Sequence, residues 1–432
     1  MNICMFTNTY LPHVGGVARS VATFAEDLCR LGHRVLVIAP TFPEDTDSVG
    51  EQYEVLRLPA IQNFNGSDFS VRVPHPFVIN DKIDQFAPDV IHSHHPYLLG
   101  DAAIRTARTH NLPLVFTHHT LYEKYTHYVP LDSETLRHFV IELSTEYANH
   151  CTKVVAPSLS VARLLRKRGV KTVIEEIPTG VDIQFFSKGR GEKIRQAYGI
   201  PQDALVIGHL GRLAPEKNLT YLAESVALFL ESNRQALFVV AGSGPSKTEI
   251  QRIFADRFLS EQLLLLGIVK GQNLADVYKA MDLFVFSSKS ETQGMVLTEA
   301  MAASTPVIAL DASGTREVVE DGRNGRLLAE TASPQSFAQA IRSFTEDATR
   351  AEEWQNEALK TANRFSRETS AERLVQLYQS ILDSTSGQKK GELIRWNNIL
   401  RRLKAEWELA SEKTKAVVKV IKEDDGTQVR LD

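Results

Sequence analysis

One stretch of the chain places a buried strand, a polar loop and a helix in immediate succession. Residues 283–286 have the sequence Leu-Phe-Val-Phe, an apolar run that predicts a parallel strand buried on both faces. A serine-rich loop follows, and good helix formers begin near Gly294. This order brings backbone N–H groups and a helix N-terminus to the carboxyl edge of a sheet. Anionic ligands bind at that edge in open α/β folds, so the stretch predicts a ligand-binding α/β protein.

Two glutamates stand eight positions apart in this stretch, Glu291 in the loop and Glu299 about one turn into the helix. Carboxylates can accept paired hydrogen bonds from vicinal sugar hydroxyls. On this interpretation Glu299 holds a ribose diol, and Glu291 holds the hydroxyls of a hexose. The alternative is a capping carboxylate at Glu291 and a solvated helix face at Glu299. The residue types alone leave both interpretations open.

The same alternation of strand and helix recurs along the whole chain. Residues 2–6, 18–31 and 35–39 form a β-α-β pattern, with Gly15 and Gly16 in its first loop. Strands alternate with helices again through residues 205–330. A chain of 432 residues is too long for one ordinary core. We therefore expect two parallel sheets, each in its own domain.

Composition narrows the possible partners and compartments. Hydrophobic residues make up 43% and charged residues 24%, as in ordinary globular proteins. The formal net charge of −4 gives no overall attraction to nucleic acid or to an anionic membrane, so we expect no nucleic-acid partner and require a local patch for membrane binding. Three scattered cysteines, no run of 18 apolar residues and no secretory leader pattern favour a cytoplasmic location.

Two sequence features raise the question of a metal. Asp45 and Asp47 form an Asp-x-Asp motif, but in a polar loop that lacks a preceding strand. Histidines cluster after two predicted strands, at residues 92–95 and 118–119. A zinc site needs three or four convergent ligands, whereas neighbouring residues on an extended segment point to opposite faces. We therefore predict no metal ion, and histidines hydrogen-bonded at the sheet ends.

Two cations, Arg212 and Lys217, lie in the loop between a predicted strand and helix. Positioned cations stabilise the charge that grows on a departing diphosphate without help from a metal. Two solvated loop charges are the alternative, and the spacing of the two residues does not decide between them.

In combination these motifs resemble those of the family 4 retaining glycosyltransferases. The resemblance rests on the Glu-x7-Glu pair, Gly15-Gly16, His119 before Thr120 and the segment Gly-Arg-Leu…Glu-Lys-Asn at residues 211–218. The Glu-Thr-Gln-Gly sequence of residues 291–294 resembles the glucosyl-diacylglycerol synthase branch. The resemblance to the family covers about residues 1–383.

The resemblance implies a GT-B fold, in which two Rossmann-like domains with parallel sheets face a central cleft. The expected division is an acceptor-side domain at residues 1–186 and a nucleotide-sugar domain at residues 204–365. Residues 187–203, which are polar and include Gly189 and Gly191, are the expected linker, and residues 366–383 a helix that crosses back. Residues 384–432 are expected to form a basic amphipathic helical tail.

The resemblance also implies roles for individual residues. His119 would face the transferred sugar, with His118 as the competitor if the strand register differs by one. The implied catalytic set is His119, Arg212, Lys217 and Glu291. The implied donor-binding set is Gly15, Gly16, Gly211, Ser243, Gly244, Ile268, Val269, Gln293, Gly294, Met295, Val296 and Glu299. Tyr122, Tyr125 and His127 would border the acceptor or, alternatively, form a packing stripe. No cofactor is implied beyond the nucleotide sugar as substrate.

The expected activity is transfer of a hexose, glucose in particular, from UDP to a hydroxyl of a membrane lipid such as diacylglycerol. The tail favours a lipid acceptor, because residues 389–422 contain ten Lys or Arg and four Glu and so predict a basic amphipathic helix. The tail would lie on the inner face of the membrane, dock on a protein or pack on the first domain. Other acceptors, soluble or polysaccharide, remain open. A nucleotide-sugar 2-epimerase and a non-catalytic nucleotide-sugar-binding protein are the alternative functions.

Overall fold

The computed structural model describes residues 1–13, 15–42, 52–61, 71–72, 76–124 and 133–384. Asp45, Asp47, Tyr125, His127 and the tail after residue 384 lie outside these ranges, so the expectations for them stay predictions.

The first half of the chain forms a seven-stranded parallel sheet in the order β3-β2-β1-β6-β7-β8-β9. A short antiparallel pair, β4 and β5, stands apart from it. The elements of this half are β1 (Asn2–Phe6), α1 (Gly16–Arg30), β2 (Arg34–Pro40), β3 (Glu54–Leu58), β4 (Ala60–Ile61), β5 (Val71–Arg72), α2 (Pro76–Phe86), β6 (Val90–Ser93), α3 (Leu99–Thr109), β7 (Leu114–Thr117), α4 (Glu134–Asn149), β8 (Lys153–Ala156), α5 (Leu159–Lys167) and β9 (Ile174–Glu176).

The second half forms a separate six-stranded parallel sheet in the order β12-β11-β10-β13-β14-β15. Its elements are α6 (Ile183–Ser187), α7 (Gly191–Ala197), β10 (Val206–Leu210), α8 (Leu219–Leu230), β11 (Leu237–Ala241), α9 (Lys247–Asp256), β12 (Leu263–Gly267), α10 (Gln272–Ala280), β13 (Leu283–Phe286), α11 (Met295–Ala302), β14 (Val307–Leu310), β15 (Gly325–Leu328), α12 (Pro334–Thr345), α13 (Ala348–Arg364) and α14 (Arg367–Asp383). The expected pair of parallel sheets is thus confirmed.

Apolar packing on both faces of each sheet explains why these segments fold as they do. Every residue of β13 is buried, because helices cover both faces of the sheet. Complete burial of one such Phe or Leu side chain contributes about 1.5–3 kcal/mol. Within the described ranges, no helix combines the length and the apolar character needed to cross a bilayer.

The chain crosses between the sheets twice, and the two crossings are hydrogen-bonded to each other. The Val181 N–H donates to the Phe365 carbonyl at 2.8 Å, and the Arg367 N–H donates to the Val181 carbonyl at 3.2 Å. The second crossing leads into α14, whose apolar face enters the core of the first domain through Leu374, Leu377, Tyr378 and Ile381. The last described helix is therefore part of the first domain's core.

Residues 187–203 differ from the expected linker, because most of them are helical or packed. Gly189 and Gly191 lie against the backbone of α10 so closely that neither has room for a Cβ. The Arg190 N–H donates to the Asp276 carboxylate at 2.8 Å, and Ile194 is buried. The glycines allow close packing here rather than freedom of movement.

Candidate active site

The loop between β13 and α11 lies at the carboxyl edge of the second sheet and faces the first domain. Gly294 caps α11 with a left-handed φ of +69°, a conformation that favours glycine. A Cβ at this position would also meet the Gly314 carbonyl at 2.9 Å. The turn into α11 therefore needs a glycine both for its conformation and for its space.

Glu291 and Lys217 form a largely buried ion pair at this edge. They meet because β10 and β13 are neighbours in the sheet, so the loops that follow these strands adjoin. Burial by itself would raise the pKa of Glu291, but the Lys217 ammonium, together with Ser288 and His209, lowers that pKa below its usual value. Glu291 is therefore ionised, and it is not the simple capping carboxylate of the alternative interpretation.

Arg212, like Lys217, follows β10. Its side chain is about half exposed and pairs with Glu216. Arg212 and Lys217 thus both lie in the segment after β10. Each cation has a carboxylate neighbour, so an arriving diphosphate would have to compete for these cations or share them.

Glu299 is buried at 2% exposure, which excludes the solvated helix face. Its Oε1 accepts from the Arg19 guanidinium at 2.5 Å, and its Oε2 accepts from the Tyr278 hydroxyl at 2.8 Å. Arg19 lies in the first turn of α1, just after Gly15-Gly16, so this ion pair crosses the cleft between the domains. The sequence analysis missed both partners, since nothing local to Arg19 or Tyr278 signals the contact.

The two side chains after Glu291 also reach the first domain. The Thr292 hydroxyl donates to the His119 carbonyl at 2.8 Å. The Gln293 amide accepts from the Thr179 N–H at 2.8 Å and donates to the Thr179 carbonyl at 2.6 Å. Gln293 was expected to bind the donor, but its side-chain amide is engaged with the first domain at both ends.

His119 follows β7 and stacks on a column of imidazoles from β6 and its loop. The ring centroids are 5.1 Å apart for His119 and His94, and 4.3 Å apart for His94 and His92. His94 Nδ1 and His119 Nε2 are 2.9 Å apart, a hydrogen-bond distance. Burial lowers the pKa of His119 to about 3, so the ring is neutral at physiological pH.

His118 occupies a different environment from His119. Its ring is fully buried between Phe116 and Tyr122, at centroid distances of 5.8 and 5.7 Å. Burial lowers its pKa to about 3. Of the two adjacent histidines, it is His119 that the structure places at the junction with the second domain.

The other clustered histidines are hydrogen-bonded as expected at the sheet ends. His92 lies within 2.6 Å of the Tyr378 hydroxyl and 2.7 Å of the Thr117 hydroxyl. His95 Nδ1 accepts from the Asn8 N–H at 3.1 Å. In the part of the chain that the structure describes, no three or more His, Cys, Asp or Glu residues come together in a way that could hold a metal ion.

The remaining expected donor-side residues lie at the ends of neighbouring strands and in the first turns of helices. Gly15 caps α1 and Gly16 begins it, while Met295 and Val296 open α11. Gly211, Ser243, Gly244, Ile268 and Val269 follow β10, β11 and β12. The strand order places these three strands side by side, so their loops share one edge with Glu291.

Tyr122 is the one expected acceptor residue within the described ranges, and it is nearly buried. Its ring packs against Tyr97 at a centroid distance of 5.5 Å. The packing interpretation therefore describes Tyr122 better than direct acceptor contact does.

A cavity of about 220 Å³ remains between the domains beside Glu299. It is lined by polar side chains from both halves, among them Arg19, Thr179, Asp182, Thr298, Glu299 and Arg367. A partly open cleft with charged side chains thus lies beside Glu299, between the two parallel-sheet domains.

Comparison with known proteins assigns a class to this architecture. The sucrose-phosphate synthase of Thermosynechococcus elongatus superposes with a TM-score of 0.74 at 21% identity, covering 89% of this chain and all of that one. The Anabaena Alr3699/HepE protein, solved with UDP-glucose, superposes with a TM-score of 0.72 at 21% identity, covering 88% of this chain and all of that one. The two parallel-sheet domains therefore have the GT-B fold.

Family models match both halves of the chain. Residues 14–185 match the model "Glycosyltransferase Family 4", and residues 190–361 match "Glycosyl transferases group 1". The chain belongs to the family 4 glycosyltransferases, which confirms the resemblance inferred from its motifs.

Curated relatives differ in the sugars and acceptors that their names give. The alpha-monoglucosyldiacylglycerol synthase of Acholeplasma laidlawii is 29% identical, over 75% of this chain and 84% of the relative. A GDP-mannose-dependent alpha-mannosyltransferase of Mycobacterium tuberculosis is 31% identical, over 76% of this chain and 84% of the relative. Family membership therefore leaves the donor and the acceptor to be determined.

Proposed function

We propose that this glycosyltransferase moves glucose from UDP-glucose to a hydroxyl of a membrane lipid such as diacylglycerol, with retention of the anomeric configuration. The observation that carries the proposal is the Lys217–Glu291 pair, held with Arg212 at the sheet edge that faces His119. A diphosphate at this edge would meet two cations, and a hexose beside it would meet an ionised carboxylate.

The charge arrangement supports a route that needs no metal ion. As the bond between the sugar C1 and the diphosphate oxygen breaks, negative charge grows on UDP. Arg212 and Lys217 would stabilise that charge, an effect worth several kcal/mol in a water-poor site. Glu291 and His119 would hold the hexose, and Glu299 would accept the ribose diol once Arg19 moves aside or shares the carboxylate.

Retention is best explained by same-face displacement. Glu123, the carboxylate nearest to His119 in sequence on the first domain, is already paired with Arg168 at 2.6 Å. We therefore assign no protein nucleophile. The acceptor oxygen bonds to C1 on the face that UDP leaves, and the acceptor proton passes to the departing phosphate oxygen.

Three observations favour a lipid acceptor. Alpha-monoglucosyldiacylglycerol synthases are among the relatives, and the Glu-Thr-Gln-Gly sequence resembles that branch. The described surface also carries a local cationic patch on α5, where Arg163, Arg166 and Lys167 are exposed. Such a patch attracts anionic headgroups although the net charge of the chain is −4. Peripheral contact with the inner face of the membrane is part of the proposal.

The experiment compares donors and acceptors on the full chain. UDP-glucose and GDP-mannose are each supplied with diacylglycerol in phosphatidylglycerol vesicles or with a water-soluble sugar, with and without EDTA. We expect an α-linked glucosyl lipid by NMR, formed equally in EDTA. Mannosyl transfer would support the second candidate, which rests on the mannosyltransferase relative. A β-linked product would overturn the displacement, and loss of activity in EDTA would overturn metal independence.

A further inference from the structure

The loop that carries Glu291 holds the first domain through two consecutive side chains. Thr292 donates to the carbonyl of His119, and Gln293 bonds both backbone polar groups of Thr179. Gln293 is 6% exposed, and Thr179 is 3% exposed. Both contacts join residues of different domains, so neither can survive a separation of the domains.

The Gln293 contact is chemically specific. A primary amide carries an acceptor oxygen and a donor NH2 group at the spacing that matches the N–H and carbonyl of a peptide. The two hydrogen bonds measure 2.8 and 2.6 Å, and both residues are buried away from water. An apolar side chain of similar size would leave the Thr179 N–H and carbonyl buried without partners, and burying such groups unpaired is costly.

The position of the loop gives these contacts a consequence for the site. Three consecutive residues of the loop contact three different partners: Glu291 pairs with Lys217, Thr292 bonds the His119 carbonyl and Gln293 bonds Thr179. Thr179 directly precedes the crossing between the domains at Gly180 and Val181. One short loop therefore sets the distance between the donor-side carboxylate and the acceptor-side histidine.

We propose that Thr292 and Gln293 are positioning residues that hold the donor loop in register with the first domain in the closed cleft. This inference rests on the proposed function for its kinetic consequence, although the contacts themselves do not depend on it. A misplacement of about 1 Å between reacting groups can cost a factor of about 100 in rate. Loss of register should therefore lower kcat more than it changes donor binding, because both side chains bond the backbone of the first domain.

The kinetic test uses Gln293→Met and Thr292→Val, with Thr292→Ser as the conservative variant that keeps the hydroxyl. Gln262→Met is the matched control for Gln293, since Gln262 is equally buried and bonds the Asn233 and Ala236 carbonyls within one domain. Thr172→Val is the control for Thr292, because Thr172 is partly buried and donates to the Ala148 carbonyl at 2.9 Å.

We expect kcat to fall by a factor of about 10–100 in Gln293→Met and Thr292→Val, with UDP affinity within about threefold of the parent. Thr292→Ser should recover most of the rate. Both controls should keep kcat within about twofold. If Gln293→Met and Thr292→Val behave like their controls, the two residues are merely structural and the inference is overturned.

A second measurement does not depend on which reaction the protein catalyses. Hydrogen exchange of the Thr179 amide is followed in Thr292→Val, where the Gln293 contact itself is unchanged. If the two contacts open together, exchange at Thr179 should become at least about fivefold faster, and Thr172→Val should leave it unchanged. Unchanged exchange in Thr292→Val would contradict a shared register, even for a protein that transfers no sugar. Faster exchange in a protein that transfers no sugar would support the positioning role and overturn the proposed function.

Discussion

Lys217 is the residue on which the proposed chemistry depends most directly. Lys217→Met removes the positive charge that would stabilise the departing diphosphate, so kcat should fall by a factor of about 100–1000. Lys360→Met is the matched control, because Lys360 is an exposed lysine that also pairs with a glutamate, Glu357. Both variants are assayed for transfer after circular dichroism has confirmed folding.

The partner carboxylate must be controlled, since Lys217→Met leaves a largely buried Glu291 without its cation. The double variant Lys217→Met, Glu291→Gln removes both charges and should regain stability without regaining activity. Activity of Lys217→Met within a few-fold of the parent would exclude Lys217 from the mechanism.

His118 provides a test of the buried imidazoles through the pH dependence of stability. Burial lowers its pKa to about 3 in the folded protein, against about 6.5 in an unfolded chain. Between these values the unfolded chain binds a proton that the folded chain does not, so stability falls as pH falls from about 6.5 towards 3. One such histidine contributes a slope of about 1.4 kcal/mol per pH unit.

His118→Phe should make that slope shallower by about 1.4 kcal/mol per pH unit. The free energy of unfolding is measured in urea between about pH 6 and pH 4.5. His138→Phe, which replaces an exposed histidine of α4, is measured beside it as the control for the change of residue type. Equal slopes in the parent and His118→Phe would mean that His118 takes up its proton in the folded state.

At the scale of elements, α14 belongs to the first domain's core although it follows the second domain in sequence. Leu377 is 5% exposed and packs in the same cluster as Leu28 of α1. Leu377→Ala should lower the stability of the first domain by about 2–5 kcal/mol, because a buried leucine leaves a cavity. Hydrogen exchange of α1 peptides gives the measurement.

Gln379→Ala is the control on the same helix, since its side chain is exposed, and it should change stability by less than about 0.5 kcal/mol. If Leu377→Ala speeds exchange in α14 and leaves α1 unaffected, then α14 is a peripheral element rather than part of that core.

The helices around the crossings show where local pattern is a poor guide. Residues 187–203 are polar and include Gly189 and Gly191, a composition typical of linkers. Those glycines instead let α7 and the residue before it pack directly on α10. Composition cannot distinguish a glycine chosen for flexibility from one chosen for lack of volume, because the difference depends on what packs against it.

At the scale of the whole molecule, the proposed membrane contact involves two basic regions, the patch on α5 and the sequence after residue 384. Residues 385–432 lie outside the described ranges, and their sequence predicts a basic amphipathic helix. The full chain should float with phosphatidylglycerol vesicles, and a chain ending at residue 384 should float less. Neutral phosphatidylcholine vesicles are the control, since electrostatic attraction requires anionic lipid.

The outcome separates the two basic surfaces. Equal flotation of both chains would assign the contact to the described surface, including α5, and remove the tail from it. Failure of the full chain to float, with transfer to water-soluble acceptors alone, would overturn the lipid acceptor.

The sequence by itself determined the two parallel sheets, the family and the set of strand-end loops that carry the site. Apolar runs of four or five residues and the Glu-x7-Glu spacing are local patterns, so a single stretch of chain is sufficient to reveal them. Only the tertiary structure decided what these side chains contact. Arg19 with Glu299, Gln293 with Thr179 and Tyr378 with His92 are separated by 280, 114 and 286 positions. Such contacts arise from how the two domains pack, and no local periodicity or propensity encodes that packing.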